Sequence, residues 1–146
     1  MSSFPNSRPL LAGITRVHRW LYLASGGRVG GRARGFRFLL LWHVGRKSGR
    51  RRVVPLLYVE DGRRFVVVAS NAGDPRNPDW WLNLRAKPET EIQVGSERVA
   101  VRACAAEGAE RERLWAKLVA ANPQYPEYQR RTQRPIPIVV LEPAAP

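Results

Sequence analysis

Residues 36–70 read FRFLLLWHVGRKSGRRRVVPLLYVEDGRRFVVVAS, and three apolar runs within this stretch decide the fold. The run at 36–44 is nearly continuous and predicts a strand covered on both faces. A second run predicts a strand over 52–60. Asp61-Gly62 is a strong hairpin turn, because glycine accepts the positive φ that a tight turn between twisted strands requires. It leads into a third strand over 64–70. The Gly/Ser/Arg segment between the first two runs predicts another hairpin. Connections this short join strands that pair antiparallel, since a parallel pair needs a crossover of a dozen residues or more.

Downstream, residues 71–78 are rich in Asn, Gly, Asp and Pro and predict a loop. A short helix follows, with Pro78 as its first residue, Asn77 as its cap and Pro88 as its stop, carrying Trp80, Trp81, Leu82 and Leu84. Residues 90–94 and 98–103 alternate on either side of a Gly95-Ser96 turn, with Val99, Val101 and Ala103 on one face. The clearest helix spans 109–121. Leu114, Trp115, Leu118 and Val119 form its stripe, and Glu110, Glu112 and Lys117 sit where the helix dipole favours them. Pro123 ends it, and an aromatic stretch with Tyr125 and Tyr128 precedes a last strand at 136–141. Five or six short strands in hairpins, with a few helices laid around them, predict an α+β, mainly β fold: a small antiparallel barrel. The βαβ alternation of a Rossmann fold is absent.

Upstream, residues 10–24 place Leu10, Leu11, Ile14, Val17 and Leu21 three and four apart with Arg16 and Arg19 between them, a basic amphipathic helix. A Gly/Arg stretch at 26–35 follows it. The chain thus divides into an N-terminal helix and linker at 1–35 and a barrel domain at 36–146. Its formal charge is +13, from 25 basic and 12 acidic residues in a length of 146. Twelve of the basic residues precede Glu60, and no acid does. A regional excess of this kind points to an anionic partner docking on one part of the surface, and nucleic acid, an anionic membrane and a polyanionic cofactor all satisfy it. No export segment or apolar run of spanning length is visible, so the expected location is the cytosol, touching at most a membrane surface. A single cysteine, Cys104, rules out an internal disulfide, and His18 and His43 lack any metal-ligand spacing.

Four places could carry chemistry. The turn Gly45-Arg46-Lys47-Ser48-Gly49-Arg50-Arg51-Arg52 offers close backbone approach, a hydroxyl, a point charge and forked donors suited to phosphate or carboxylate. It is not a Walker loop, because it leads into a strand, and an ordinary solvated hairpin tip would look similar. Ser70-Asn71-Ala72-Gly73 ends a buried strand, where a hydroxyl or backbone N–H could meet a ligand ring or where the chain simply turns. Asn83, an amide on an apolar helix, needs a partner. Tyr125 and Tyr128 share a face if their segment is helical, and suit either an aromatic ligand or packing.

Taken in order, HVGRKSGRRRVVPLLYVEDG, VVVASNAGDPRNPDWWLNLRAKPE, NPQYPEYQRR and IPIVVLEP resemble the deazaflavin (F420)-dependent nitroreductase family over about 38–143. The resemblance implies a split β-barrel of the FMN-binding type, with coenzyme F420 in a basic groove and hydride passed to a quinone or nitroaromatic acceptor. It implies that Arg46, Lys47, Ser48, Gly49, Arg52, Val53 and Pro55 hold the cofactor's phosphodiester and its neighbours. Ser70, Asn71, Ala72 and Gly73 match the loop beside the deazaflavin ring, and Asn83 a further cofactor contact. Ser70, Tyr125 and Tyr128 match the reacting side. Leu57 and Asn122 stand where nitroimidazole-reducing members carry tyrosines, and Asn71-Ala72 where a Lys-Gly pair is common. These departures concern the acceptor more than the cofactor. Quinone is therefore the expected acceptor, met by the basic N-terminal helix at an anionic membrane. An FMN-binding barrel and a nucleic-acid-binding module are the alternatives, the latter disfavoured because the aromatics mostly fall at core positions.

Overall fold

A computed structural model describes residues 36–144. Seven strands make one antiparallel sheet: β1 (Phe38–Val44), β2 (Arg51–Leu57), β3 (Val59–Asp61), β4 (Arg64–Val68), β5 (Glu89–Val94), β6 (Glu97–Ala105) and β7 (Ile138–Pro143). Among the described residues three α-helices accompany it, α1 (Asp79–Ala86), α2 (Gly108–Ala121) and α3 (Tyr125–Arg130), with a single 3-10 turn at Asn71–Gly73. The order across the sheet is β2-β1-β5-β6-β7-β4-β3. Its two outermost strands, β2 and β3, are separated in the chain by Tyr58 alone. One extended segment therefore pairs with β1 along its first half and β4 along its second. The sheet can satisfy both only by curling until its ends meet, which gives the split barrel expected from the sequence. At the joint, the Tyr58 N–H donates to the Arg37 carbonyl at 2.9 Å and the Tyr58 ring lies buried, edge-on to Phe65.

Alternation along the strands builds two apolar layers. Leu39, Leu41, Val67, Ala69, Ile92, Val101, Val139 and Leu141 fill the barrel, and Trp80, Trp81 and Leu84 of α1 pack onto the same cluster. The intervening residues of β4 and β7, Val66, Val68, Ile138 and Val140, face the other way. They meet Leu114 and Leu118 of α2 and Tyr125 of α3. These two strands read as unbroken apolar runs because both of their faces are covered.

Several expectations need correction. The strand expected over 52–60 is two strands divided at Tyr58, so seven are present rather than five or six. The last strand begins at Ile138, not at 136. Pro78 is the cap of α1 rather than its first residue, and its extended ψ of 151° suits that place. Asn77 does not cap the helix; its Oδ1 accepts from Arg134 Nη1 at 2.8 Å. The helix expected at 10–24 and the Gly/Arg stretch at 26–35 lie outside the described residues.

The turn joining β3 to β4 is fastened to α2 by charge. Asp61 accepts from Arg113 at 2.8 and 3.0 Å, from Arg64 on its own hairpin and from Lys117 at 3.4 Å, while Arg64 also reaches Glu110 at 2.7 Å. Hydrogen bonds from Arg113 and Arg64 hold the Asp61 carboxyl well below the usual carboxylate range. A carboxylate whose folded pKa is depressed stabilises the fold above its unfolded pKa and loses that contribution as pH falls below it. Thermal melts should therefore show a wild-type midpoint that drops as pH is lowered from about 5 towards 2. Asp61→Asn should cost about 1–2 kcal/mol at neutral pH and flatten that acid slope.

Candidate active site

The β1–β2 hairpin is a rigid turn. Gly45 N–H donates to the Arg50 carbonyl and Gly49 N–H to the Gly45 carbonyl, both at 2.8 Å. Ser48 Oγ folds back to accept from the Arg50 N–H at 3.1 Å. A Cβ on Gly45 would come within 2.5 Å of that Oγ and turn it away from Arg50, and Gly49 supplies a φ of 73°. Arg46, Lys47, Ser48, Gly49, Arg50, Arg51 and Arg52 are all exposed. Arg46 is paired with Asp79 at 3.5 Å and Arg51 with Glu91 at 2.9 Å. Among the described residues Lys47, Arg50 and Arg52 have no acidic partner within ion-pair reach.

β2 divides its candidate residues between its faces. Arg52 stands opposite His43 in the ladder, on the face that carries Val54 and Leu56 into the barrel core. Val53 and Pro55 alternate to the other face, opposite Trp42 and Leu40.

Asn83 straps the hairpin to α1. Its Oδ1 accepts from both the backbone N–H of Arg46 at 3.0 Å and Arg46 Nη1 at 2.7 Å. Its Nδ2 lies 2.9 Å from Nδ1 of His43, so the amide donates and the imidazole accepts. His43 and Asn83 are both buried. Burial first, and then the nearby Arg52, lower the His43 pKa to about 4, so the ring is neutral at physiological pH and free to accept at Nδ1. The amide partner that the sequence demanded for Asn83 is thus a histidine forty residues away, which also accounts for the buried polar ring in β1.

The 70–73 loop is strained. Ser70 is right-handed (φ −77°, ψ −32°), and Asn71 and Ala72 have φ of 47° and 55°. A left-handed conformation costs a non-glycine residue roughly 1–2 kcal/mol. The right-to-left succession turns neighbouring backbone N–H groups to one side, the arrangement of an anion-binding nest. Gly73 (φ 84°) lies hard against α3: a Cβ there would be 2.8 Å from the Tyr128 carbonyl and from Arg131 Cβ.

Arg134 holds this loop in shape, a role that sequence reading missed. Its Nε donates to the Asp74 carbonyl at 2.9 Å, Nη2 to the Ser70 carbonyl at 3.0 Å and Nη1 to Asn77 Oδ1 at 2.8 Å, with the Ala69 carbonyl at 3.4 Å. Arg131 adds a bond to the Ala72 carbonyl at 3.2 Å. Only the density of arginine after α3 could have hinted at these contacts.

The two tyrosines lie on one helix, as their spacing allows, but in different surroundings. Tyr125 is buried in the outer layer, its ring centroid 6.4 Å from Trp115, and desolvation pushes its phenol up to about 12. Tyr128 is half-buried, donates from its hydroxyl to Gln124 Oε1 at 2.9 Å and carries Arg131 over its ring. The structure therefore brings Tyr128 to the 70–73 loop through Gly73, and α1 connects that loop to the hairpin. Tyr125 is placed chiefly as a packing residue. Among the described residues no cluster of His, Cys, Asp and Glu could hold a metal, and no helix is long and apolar enough to cross a membrane.

Comparison with known proteins agrees with this architecture. An F420H2-dependent quinone reductase of Mycobacterium tuberculosis is 41% identical over 132 residues, covering 88% of this chain and 89% of its own. A second protein of that organism, provisionally named for the same activity, is 47% identical over 105 residues, or 72% of this chain and 88% of its own. The solved structure of an F420H2-dependent reductase, FDR-A, superposes at a TM-score of 0.67 with 40% identity, over 72% of this chain and 93% of that one. The haem storage protein HutZ of Vibrio cholerae, 15% identical, shares the fold alone, at a TM-score of 0.58 over 75% of this chain and 82% of that one. The sequence pattern of the F420H2-dependent quinone reductases matches residues 14–143, and with barrel, hairpin and loop in the order described, the chain belongs to that family.

Proposed function

We propose that the protein binds coenzyme F420 across the hairpin and the 70–73 loop and, with the reduced cofactor, reduces a quinone. The observation that carries this reading is the group of cations Lys47, Arg50 and Arg52, exposed on a rigid turn and the start of β2 and without acidic partners among the described residues. Such a group is electrostatically unfavourable by itself and becomes favourable beside a polyanion. The donor set fits a cofactor bearing a phosphodiester and an oligoglutamate tail: forked guanidinium groups, one ammonium and a serine hydroxyl.

When bound, the reduced deazaflavin supplies a hydride. The protein's own residues do the rest. Lys47, Arg50 and Arg52 anchor the anionic portion, with Ser48 and the turn backbone fitted around it. Asn83 keeps Arg46 in place rather than spending its carbonyl on the cofactor, because that oxygen already accepts twice. Val53 and Pro55, on the outer face of β2, offer apolar contact. The Asn71 and Ala72 N–H groups, together with the Ser70 hydroxyl, stabilise negative charge as it develops beside the ring, the Gly73 N–H being held by the Ser70 carbonyl at 2.8 Å, and fixed donors do this without reorganisation. Arg134 preserves that arrangement, and Tyr128 lines the acceptor side from α3.

Quinone is the acceptor best suited to a lining in which Leu57 is apolar and packs against the outer layer. Nitroaromatics, electrophiles of similar flatness, are the second class. The acid-free basic segment before Phe36 provides the means of meeting a quinone at an anionic membrane.

The deciding experiment is a titration of F420 into the purified protein, with FMN and a short RNA in parallel. Saturable F420 binding that weakens about tenfold in Lys47→Ala, near 1.4 kcal/mol, is expected. Tight FMN binding without F420 binding would replace the cofactor, and binding of RNA alone would replace the function. Arg134→Met should lower stability by about 2–3 kcal/mol as its acceptors lose their donor. It should slow quinone reduction at saturating cofactor, while Arg134→Lys recovers stability only in part, because an ammonium cannot reproduce the fork.

A further inference from the structure

We propose that His43 is a positioning residue for the cofactor cradle, acting through Asn83 on the Arg46 backbone; the inference rests on the cofactor reading and goes one step inside it. The amide of Asn83 can be inserted either way round in a helix, and only one way serves the hairpin. With Oδ1 towards Arg46 it accepts the main-chain N–H and Nη1, at 3.0 and 2.7 Å. With the amide reversed, Nδ2 would confront those two donors and both would lose their acceptor. The two Arg46 donors turn Nδ2 towards His43 Nδ1, 2.9 Å away, and the ring completes the arrangement only in the tautomer that presents a lone pair there. That lone pair receives the Asn83 N–H, whereas a ring protonated at Nδ1 would favour the reversed amide.

His43 is therefore required as an acceptor at Nδ1, and its surroundings keep the ring neutral. The ring is buried at the end of β1 and faces Arg52 across the β1–β2 ladder. Burial and the neighbouring Arg52 oppose a positive charge on the ring, and Asp79 favours it. A neutral ring whose Nδ1 is unprotonated carries its proton on Nε2. The chain of contacts then runs from β1, through α1, to the first residue of the basic turn: His43 orients Asn83, Asn83 holds Arg46, and Arg46 begins the segment whose next cations face solvent. A preformed cradle loses less conformational freedom on binding than one ordered by its ligand, so an imidazole that need not touch the cofactor still acts on its affinity.

The test compares His43→Leu, which fills the space but offers no acceptor, with His43→Asn, which places an amide oxygen near the position of Nδ1. Two readouts are used on each folded variant: hydrogen exchange of the Arg46 amide without cofactor, and F420 affinity by titration. In wild type, the 15N shift of His43 Nδ1 should be that of an unprotonated acceptor. In His43→Leu, exchange at Arg46 should quicken tenfold or more and the F420 Kd should rise about tenfold, the loss falling on the cofactor KM rather than on kcat. His43→Asn should restore most of both. Unchanged Arg46 exchange and unchanged affinity in His43→Leu would overturn the proposal, as would a folded His43→Asn variant as impaired as the leucine one. Should His43→Leu not fold, His43→Leu/Asn83→Leu leaves no buried amide unpaired and takes its place. Wild-type affinity in that double variant would be equally fatal. Failure of the wild type itself to bind F420 would count against the cofactor reading, and the Arg46 exchange would still decide the role of His43.

Discussion

The geometry of the protein depends on one covalent constraint: the two outermost strands of the sheet are consecutive in the chain, with Tyr58 alone between them. A sheet whose ends are tied by one residue cannot lie flat. It curls, and curling fixes the remainder. The residues of the β1–β2 turn, 46–52, are left exposed. The inner faces of β1, β4, β5, β6 and β7 converge on a single cluster, which α1 joins with Trp80, Trp81 and Leu84. Once α1 is seated by those side chains, the buried Asn83 beside them has no choice but to find polar partners. His43 and Arg46 are what β1 and its turn present. The strap between barrel and hairpin is thus a consequence of closure, not an addition to it.

Charge is distributed with the same economy. Four acids are engaged at the sides of the barrel, where Asp61 and Glu110 secure α2, Glu91 lies between Arg51 and Arg98, and Glu89 meets Arg102. At the hairpin itself Asp79 takes Arg46 and Glu91 takes Arg51. The remaining cations of the turn stay together in water, where mutual repulsion works weakly against the fold. Sites that oppose local stability in this way are where function is expected. Strain at Asn71 and Ala72 falls in the other half of the proposed site, and there the opposing force is supplied by Arg134 and Arg131.

Much of this was legible in the sequence, and the boundary of legibility has physical causes. β4 and β7 announced themselves because strands covered on both faces show unbroken apolar runs, and α2 because its stripe has helical period. The need of Asn83 for a partner could be read, since an amide among tryptophans and leucines must be satisfied. The partner could not, because a ring nitrogen in a strand forty residues earlier carries no local mark. Asn77 was misread as a helix cap for a related reason: propensity describes what a side chain does when left alone, and Arg134 does not leave it alone. Arg134 itself was invisible. Its acceptors are chiefly main-chain carbonyls, which every residue has, brought near only by the pairing of β4 with β7. Tyr125 shows the converse limit, since spacing placed both phenols on one helix while only tertiary packing could bury one of them among Trp115 and the outer layer.

The two halves of the proposed site are held by different means, and this bears on how such a protein can change its substrate. The cofactor side is fixed from within the barrel, by His43, Asn83 and the core that seats α1, so alterations there disturb the fold. The acceptor side is fixed from the outer layer. Leu57 packs against that layer, Asn122 ends α2 with its Oδ1 accepting from the Gln124 N–H, and α3 touches the 70–73 loop through Gly73. Substitution at Leu57 or Asn122, on the proposed reading, reshapes the acceptor side without reaching the hairpin, because no bond in the strap passes through either residue. On the proposed reading, the departures from the nitroimidazole-reducing pattern fall in the layer where they cost the cofactor least. A fold arranged in this way keeps one hydride donor and is free to vary what receives the hydride.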